Sequence, residues 1–180
     1  TGLGLAVVHG IVKSCNGFIT VSSGPEKGTV FNVFLPLIED RTTPQEERKG
    51  PLPTGTERIL FVDDDKLLAD IGKQTLERLG YRVTTRTSSV EALELFKAKS
   101  DHFDLVITDL TMPNMNGDKL SMELIKLKFG IPIILCTGFS KMINETGVKA
   151  MGIKGLLMKP ASKADLAVIV RKVLDEAKAL

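Results

Sequence analysis

The chain has 180 residues, of which 43% are hydrophobic and 26% charged, and its formal net charge is +2 at pH 7. This composition is typical of a globular protein in water, and the near-neutral charge argues against a nucleic-acid-binding surface, which usually carries an excess of Lys and Arg. No apolar run approaches the roughly 18 residues that span a bilayer, which argues against direct membrane contact. The two cysteines are too far apart to indicate a disulfide framework or a metal site, so a reducing cytoplasm is the expected setting.

The first 36 residues indicate a helix followed by a β-hairpin. The helix runs from about Gly4 to Cys15, and two strands follow around a turn at Gly24-Pro25. The stretch TGLGLAVVHGIVKSCNG and the hairpin after it resemble the tail of a histidine-kinase ATP-binding domain, with Gly2 and Gly4 from its glycine box. The resemblance implies that residues 1–38 are an incomplete α+β fragment, from which we expect neither ATP binding nor kinase activity. A hairpin without the rest of its sheet leaves apolar faces open, so we expect disorder or association with another molecule.

Residues 39–56 are predicted to be a linker. Pro44, Pro51 and Pro53 alternate with glycines and charged residues, and Leu52 is almost the only apolar side chain. Such a stretch buries too little apolar surface to offset the entropy lost on ordering. The linker separates the short N-terminal fragment from a longer unit at residues 57–180.

The longer unit alternates strand and helix patterns. Ile59 to Val62 is a continuous apolar run, Lys66 to Leu79 carries a helical apolar stripe closed by Gly80, and residues 81–86 alternate as an edge strand does. The elements that follow are a helix after Ser88, a strand at 105–108, a helix at about 117–128, a strand at 131–136, a weaker helix at 141–150, a strand at 155–158 and a last helix capped by Ser162 and Asp165. The Lys and Arg residues of the last helix are expected on a solvated face.

This order predicts an α/β fold with a five-stranded parallel sheet and helices on both faces. Strands buried on both faces read as unbroken apolar runs, which the first, third and fourth strands do, while the second alternates. The pattern therefore favours the flavodoxin-like strand order 2-1-3-4-5, with the second strand at an edge.

Polar residues follow four of these strands at the point where each strand ends. Ligands of open parallel sheets bind at the carboxyl ends of the strands, so we expect these residues to converge there: Asp63, Asp64, Asp65, Asp109, Thr137 and Lys159. Clustered carboxylates repel one another unless a cation compensates, and Mg²⁺ prefers such oxygen ligands. A carboxylate nucleophile beside a metal, a lysine and a hydroxyl group suits phosphoryl transfer.

The runs ILFVDDD, VITDLTMPNMNG, IILCTG and LLMKP resemble the receiver domains of two-component signalling, and the resemblance covers residues 57–180. It implies that Asp109 is the phosphoacceptor. It further implies that Thr137 binds a phosphoryl oxygen, that Lys159 pairs with the phosphoryl group and that the Lys159–Pro160 bond is cis.

The same resemblance implies a Mg²⁺ site made of four residues. Asp64 is the implied direct ligand, with Asp63 completing the acidic pocket, and Asp109 and the backbone carbonyl of Thr111 are the remaining ligands. The chain would then catalyse its own phosphorylation at Asp109 without a kinase core.

The two resemblances together imply that the longer protein is a hybrid sensor histidine kinase with a C-terminal receiver. The implied partner is a phosphohistidine on that kinase or on a phosphotransfer protein. The unit would be cytoplasmic, with any membrane anchor in a missing N-terminal region. The sequence carries no pattern that defines an oligomeric state.

The sequence leaves two other functions open. A phosphatase with an aspartyl nucleophile usually has a second acid two residues later, where this chain has Thr111. A receiver-like module that binds partners without phosphorylation is the second alternative. It is favoured by Leu156, which stands where many receivers have an aromatic residue three positions before the lysine.

Overall fold

The computed structural model of the chain describes residues 4–25, 28–36, 50–138 and 151–179. The chain divides into two compact units, Thr1–Lys49 and Gly50–Leu180. The glycine-box residue Gly2, most of the predicted linker and the predicted helix at 141–150 lie outside the described residues.

The first unit contains helix α1 (Gly4–Ser14) and an antiparallel hairpin of β1 (Phe18–Gly24) and β2 (Gly28–Phe34). Val12 is the buried residue of α1, while the apolar side chains of β2 are exposed. The rings of Phe18 and Phe34 stack across the two strands, with centroids 4.5 Å apart. The predicted helix and hairpin are therefore present. We expect this unit to associate with another molecule because its apolar side chains are exposed.

The second unit alternates strands and helices along the chain. Its elements are β3 (Arg58–Val62), α2 (Lys66–Glu77), β4 (Arg82–Arg86), α3 (Ser89–Ala98), β5 (Leu105–Asp109), α4 (Gly117–Leu127), β6 (Ile133–Thr137), β7 (Gly155–Met158) and α5 (Lys163–Lys178). A 3₁₀ turn at Ser100–His102 connects α3 to β5.

The five strands form one parallel sheet in the order β4-β3-β5-β6-β7. Numbered within this unit, that is 2-1-3-4-5, so the predicted fold class is confirmed. β5 and β6 lie inside the sheet and are buried along their whole length. β4 lies at the edge and is only partly buried, which explains why its sequence alternates while theirs does not.

Successive side chains of each strand point to opposite faces of the sheet and enter two separate cores. Ile59 and Phe61 of β3 pack on one face, with side chains of α2 and α5. Leu60 and Val62 pack on the other face, with side chains of α3 and α4. The sheet is thus covered on both sides, and its carboxyl edge is left to polar residues.

Residues 50–57 belong to the second unit and contact it through Leu52, Gly55 and Glu57, although the predicted linker extends to residue 56. Leu52 packs against the core beneath α2 and α5, and the Gly55 amide donates to the Leu79 carbonyl at 3.1 Å. Glu57 accepts hydrogen bonds from Arg171 and Lys178 of α5. Arg171 is therefore held in an ion pair, where a solvated helix face was expected.

The two cations set the ionisation of Glu57. Burial alone would raise the pKa of Glu57, but the hydrogen bonds from Arg171 and Lys178 outweigh burial and lower that pKa to about 2. The carboxylate is therefore charged at neutral pH and ties the segment before β3 to the last helix.

Candidate functional site

The polar residues that follow the strands meet at the carboxyl edge of the sheet. The parallel register pairs Val62 with Thr108 and Thr137 with Met158, so these strands end at the same level. Three of the predicted residues are almost fully buried there: the exposed fraction is 2% for Asp63, 9% for Asp109 and 2% for Thr137. Buried polar groups are costly unless they are paired, so their partners define what this edge can do.

The Lys159 ammonium contacts two of these carboxylates at once. Its Nζ atom lies 2.7 Å from Oδ2 of Asp63 and 2.5 Å from Oδ1 of Asp109. Asp63 directly follows β3, Asp109 ends β5 and Lys159 directly follows β7, so residues 96 positions apart in the chain meet in one cleft. The Lys159–Pro160 peptide bond is cis, as expected.

These contacts keep Lys159 charged. Burial disfavours the ammonium, but its hydrogen bonds to Asp109 and Asp63 outweigh burial and raise the pKa of Lys159 above its ordinary value. The cleft thus brings two buried acidic side chains and one cation into contact.

The turn after β3 contains three aspartates with three different environments. Oδ1 of Asp63 accepts from the Asp65 amide at 3.1 Å. Asp65 is the N-cap of α2, since its Oδ1 accepts from the Leu67 and Leu68 amides. The Asp64 side chain is exposed and makes no hydrogen bond or ion pair with the described residues. Asp65 therefore stabilises the helix, and Asp64 has a carboxylate available for a ligand.

The turn after β5 holds Asp109 in place. Oδ2 of Asp109 accepts from the Thr111 amide at 3.0 Å, and the Leu110 amide donates to the Cys136 carbonyl on β6 at 2.8 Å. Both Asp109 oxygens thus have a donor. Thr111 is exposed beside them and has no carboxylate, so the second acid of an aspartyl phosphatase does not stand at this position.

Thr137 is the buried last residue of β6. Its backbone carbonyl accepts from the Lys159 amide at 2.8 Å, so the ends of β6 and β7 are joined. The structure therefore brings Asp63, Asp109, Thr137 and Lys159 to one edge, with Asp64 and Thr111 in the turns beside them.

The donor atoms of this cleft suit a hard divalent cation. Two carboxylates already share one cation, and a third, Asp64, lies one residue along the same turn as Asp63. All are oxygen donors, which Mg²⁺ prefers. No three His, Cys, Asp or Glu side chains of the described residues converge as a ready metal-binding group. The suitability of the cleft for Mg²⁺ is therefore argued from its oxygen donors and from the position of Asp64 in the turn.

Leu156 lies behind this edge in a small aliphatic cluster. It is partly buried and, like Leu110, packs against Leu135 and Ile153. Leu110 directly follows Asp109, so the cluster touches the turn that carries this carboxylate. A leucine there has no ring or hydroxyl to reorient.

One residue of this edge was not predicted. Arg86 ends β4 and pairs in register with Val62, one residue before Asp63. The Asp63 amide donates to the Arg86 carbonyl at 3.2 Å. Arg86 could have been predicted from the sequence, because it is the polar residue at the end of the second strand, as the predicted site residues are at the ends of the other four strands.

No helix among the described residues has the length and apolar character needed to cross a bilayer.

Comparison with protein-family models gives one match, described as "Response regulator receiver domain", to residues 59–171. Among solved structures, a receiver domain protein from Methanospirillum hungatei JF-1 is 33% identical and superposes with a TM-score of 0.62, covering 69% of this chain and 98% of that one. A receiver domain protein from Clostridium thermocellum is 29% identical with a TM-score of 0.65, covering 68% and 98%.

The curated proteins similar to the chain include a sensor kinase and a sensor protein. "Sensor kinase CckA" of Brucella abortus (strain 2308) is 35% identical over 98% of this chain and 20% of its own length. "Aerobic respiration control sensor protein ArcB" of Escherichia coli (strain K12) is 30% identical over 97% of this chain and 23% of its own length. The chain thus spans about a fifth of the length of these relatives, and the similarity extends through its first unit.

Proposed function

We propose, since this chain belongs to the response regulator receiver family, that it accepts a phosphoryl group on Asp109 in a Mg²⁺-dependent reaction. The observation that carries the proposal is the Lys159 ammonium held between the carboxylates of Asp63 and Asp109. This arrangement combines a nucleophile, a second acid and a cation in one buried cleft. Phosphoryl transfer depends mainly on such positioning and charge stabilisation.

In the proposed reaction, a carboxylate oxygen of Asp109 attacks the phosphorus of a phosphohistidine. A P–O bond forms, the P–N bond breaks, and the electron pair of that bond returns to the imidazole. Lys159 stabilises the negative charge on the phosphoryl oxygens, and the Thr137 hydroxyl donates a hydrogen bond to one of them. The Thr111 amide, which donates to Oδ2 of Asp109, holds the carboxylate in position.

The proposed ligands of Mg²⁺ are the carboxylates of Asp63, Asp64 and Asp109 and the backbone carbonyl of Thr111. Bound there, Mg²⁺ supplies positive charge that offsets the phosphoryl oxygens. Asp63 also orients Lys159 through their contact at 2.7 Å. Asp64 is exposed and reaches a ligand without breaking any contact that the structure shows.

The longer protein is proposed to be a hybrid sensor histidine kinase. Two similar proteins, CckA and ArcB, are described as a sensor kinase and a sensor protein, and each aligns with 97% or more of this chain. Residues 1–38 would then be the end of the kinase's ATP-binding domain, 39–56 the linker and 57–180 the receiver. The proposed donor is a phosphohistidine on the kinase or on a phosphotransfer protein, and the proposed location is the cytoplasm.

The test is incubation with acetyl phosphate and Mg²⁺, followed by intact-mass measurement. We expect a gain of one phosphoryl group in the wild-type chain, no gain in Asp109→Asn and no gain when EDTA replaces Mg²⁺. A gain that persists in Asp109→Asn would contradict the proposal.

A receiver-like module that binds partners without phosphorylation is a second candidate. It is supported by Leu156, whose aliphatic cluster with Leu110 and Ile153 offers no ring to rotate when Asp109 is modified. If beryllofluoride with Mg²⁺ leaves the amide NMR shifts of the second unit unchanged, this candidate replaces the first.

A further inference from the structure

A cavity of about 410 Å³ lies beside the candidate site, between the start of α2, the end of β4 and the start of α3. Its lining includes two cations, Lys66 and Arg86, and two acids, Asp70 and Glu91. The proposed phosphoryl transfer uses none of these four residues.

The two cations of this cavity differ in their partners. Lys66 lies 2.7 Å from Asp70, in an exposed i,i+4 ion pair. Arg86 is partly buried and donates from Nη1 to the carbonyl of its neighbour Thr85 at 2.7 Å. Across the described residues, no carboxylate lies within 4.0 Å of the Arg86 guanidinium. Arg86 is thus a cation at the cavity, and its remaining donors have no anionic partner in the part of the chain that the structure describes.

Arg86 lies at the same edge of the sheet as the candidate site. β4 pairs with β3, and β3 pairs with β5, which ends in Asp109. Neighbouring strands lie about 4.8 Å apart, so Arg86 and Asp109 sit at the ends of strands separated by two such spacings. We therefore expect a protein that delivers a phosphoryl group to Asp109 to contact the strand end at Arg86 as well.

We propose that Arg86 pairs with a carboxylate on the surface of the phosphohistidine-bearing partner and is a specificity-determining residue for the transfer. The inference rests on the proposed function. Covering an unpaired guanidinium is costly unless the partner brings a countercharge, and the planar guanidinium matches a carboxylate through two hydrogen bonds. Asp70 and Glu91 share the cavity, and their charge favours a singly charged carboxylate over a doubly charged phosphate.

The experiment compares two phosphodonors on the intact chain. One is phosphoramidate, which has a phosphoryl group and no carboxylate; the other is a histidine-phosphorylated protein donor that phosphorylates the wild-type chain. The variants are Arg86→Gln, Arg86→Lys as the charge-preserving change, and Arg82→Gln as a control at the exposed opposite end of the same strand. A thermal melt of each variant checks folding.

We expect Arg86→Gln to leave the phosphoramidate rate unchanged, to slow transfer from the protein donor by about tenfold and to weaken its salt dependence. Arg86→Lys should recover part of the rate, and Arg82→Gln should match the wild type. Equal rates for Arg86→Gln and wild type with the protein donor would overturn the inference. Equal slowing with both donors would also overturn it, because Arg86 would then act on the phosphoryl group itself. If neither phosphoramidate nor any histidine-phosphorylated protein phosphorylates the wild-type chain, the proposed function is rejected, and the inference with it.

Discussion

Gly117 lies directly against the backbone of Asp109, and a β-carbon at position 117 would collide with the Asp109 carbonyl oxygen. The Gly117 amide also donates to the Leu110 carbonyl at 2.8 Å. The first residue of α4 is thus seated on the turn that carries the candidate phosphoacceptor, and only a glycine permits this approach.

Gly117→Ala is expected to displace either α4 or the Asp109 turn. Because the added methyl group meets backbone rather than a flexible side chain, we expect the free energy of unfolding to fall by about 1–3 kcal/mol. Phosphorylation of Asp109 should slow as well. Urea unfolding and intact-mass kinetics measure the two effects. Gly50→Ala is the matched control, since a β-carbon there meets nothing within 4 Å; equal behaviour of the two variants would contradict the argument.

Lys159→Met removes the cation that Asp63 and Asp109 share. We expect the rate of phosphorylation by acetyl phosphate to fall by about 100-fold, as when a single charge-stabilising donor is removed from an active site. Intact-mass kinetics at saturating Mg²⁺ measure the rate. Lys154→Met is the control, because Lys154 is exposed before β7 and outside the cleft. A wild-type rate in Lys159→Met would show that the bridging ammonium has no part in the transfer.

Asp64→Asn and Asp65→Ala separate metal binding from helix capping. Asp64→Asn removes a charged ligand and should weaken Mg²⁺ binding by about tenfold or more, with little change in the free energy of unfolding without Mg²⁺. Asp65→Ala removes the N-cap of α2 and should lower the free energy of unfolding by about 1 kcal/mol while Mg²⁺ affinity is retained. Isothermal titration with Mg²⁺ and urea unfolding in EDTA distinguish them, and the reverse pattern would reject both assignments.

Glu57→Gln tests the ion pair between the segment before β3 and α5. The pKa of Glu57 is lowered to about 2 from an ordinary 4.5, so its contribution to stability is present above pH 4.5 and is lost as the pH falls toward 2. At pH 7 we expect the variant to lose about 2 kcal/mol, after allowance for partial solvent screening. Urea unfolding from pH 7 to pH 3 should show this difference shrinking.

The matched control for that series is Glu123→Gln. Glu123 pairs with Lys126 in an exposed i,i+3 ion pair, and such pairs contribute less than about 1 kcal/mol. A loss in Glu57→Gln that stays constant down to pH 3 would mean that packing, rather than charge, holds residues 50–57 in place.

Sequence patterns predicted the helix ends of the second unit well, because neighbouring residues determine where a helix begins and ends. Gly80 ends the α2 region with a φ of 96°, which a glycine adopts readily. Ser162 and Asp165 form the predicted capping box of α5. The fourth strand was placed at 131–136 and is found at Ile133–Thr137, because Pro132 has no amide hydrogen and contributes only its carbonyl, which accepts from Val106.

Long-range pairing explains most of what was missed. Glu57 and Arg171 are 114 residues apart, and no periodicity along the chain relates them. Lys159 was expected to meet a phosphoryl group, and its contacts with two carboxylates follow from where β3, β5 and β7 end. Convergence of the strand ends was predictable from topology, but the sharing of one cation by two acids depends on side-chain distances that only the structure gives.

The Glu57–Arg171 pair has a practical meaning for anyone who excises this domain. The family match covers residues 59–171, and cutting at those positions would discard Glu57 and Asp175, the two carboxylates paired with Arg171, and would remove Lys178 as well. The resulting fragment would keep every residue of the candidate site and still unfold more easily, and its instability would be misread as a property of the receiver. A fragment that begins at Gly50 keeps Glu57 and its ion pair with Arg171.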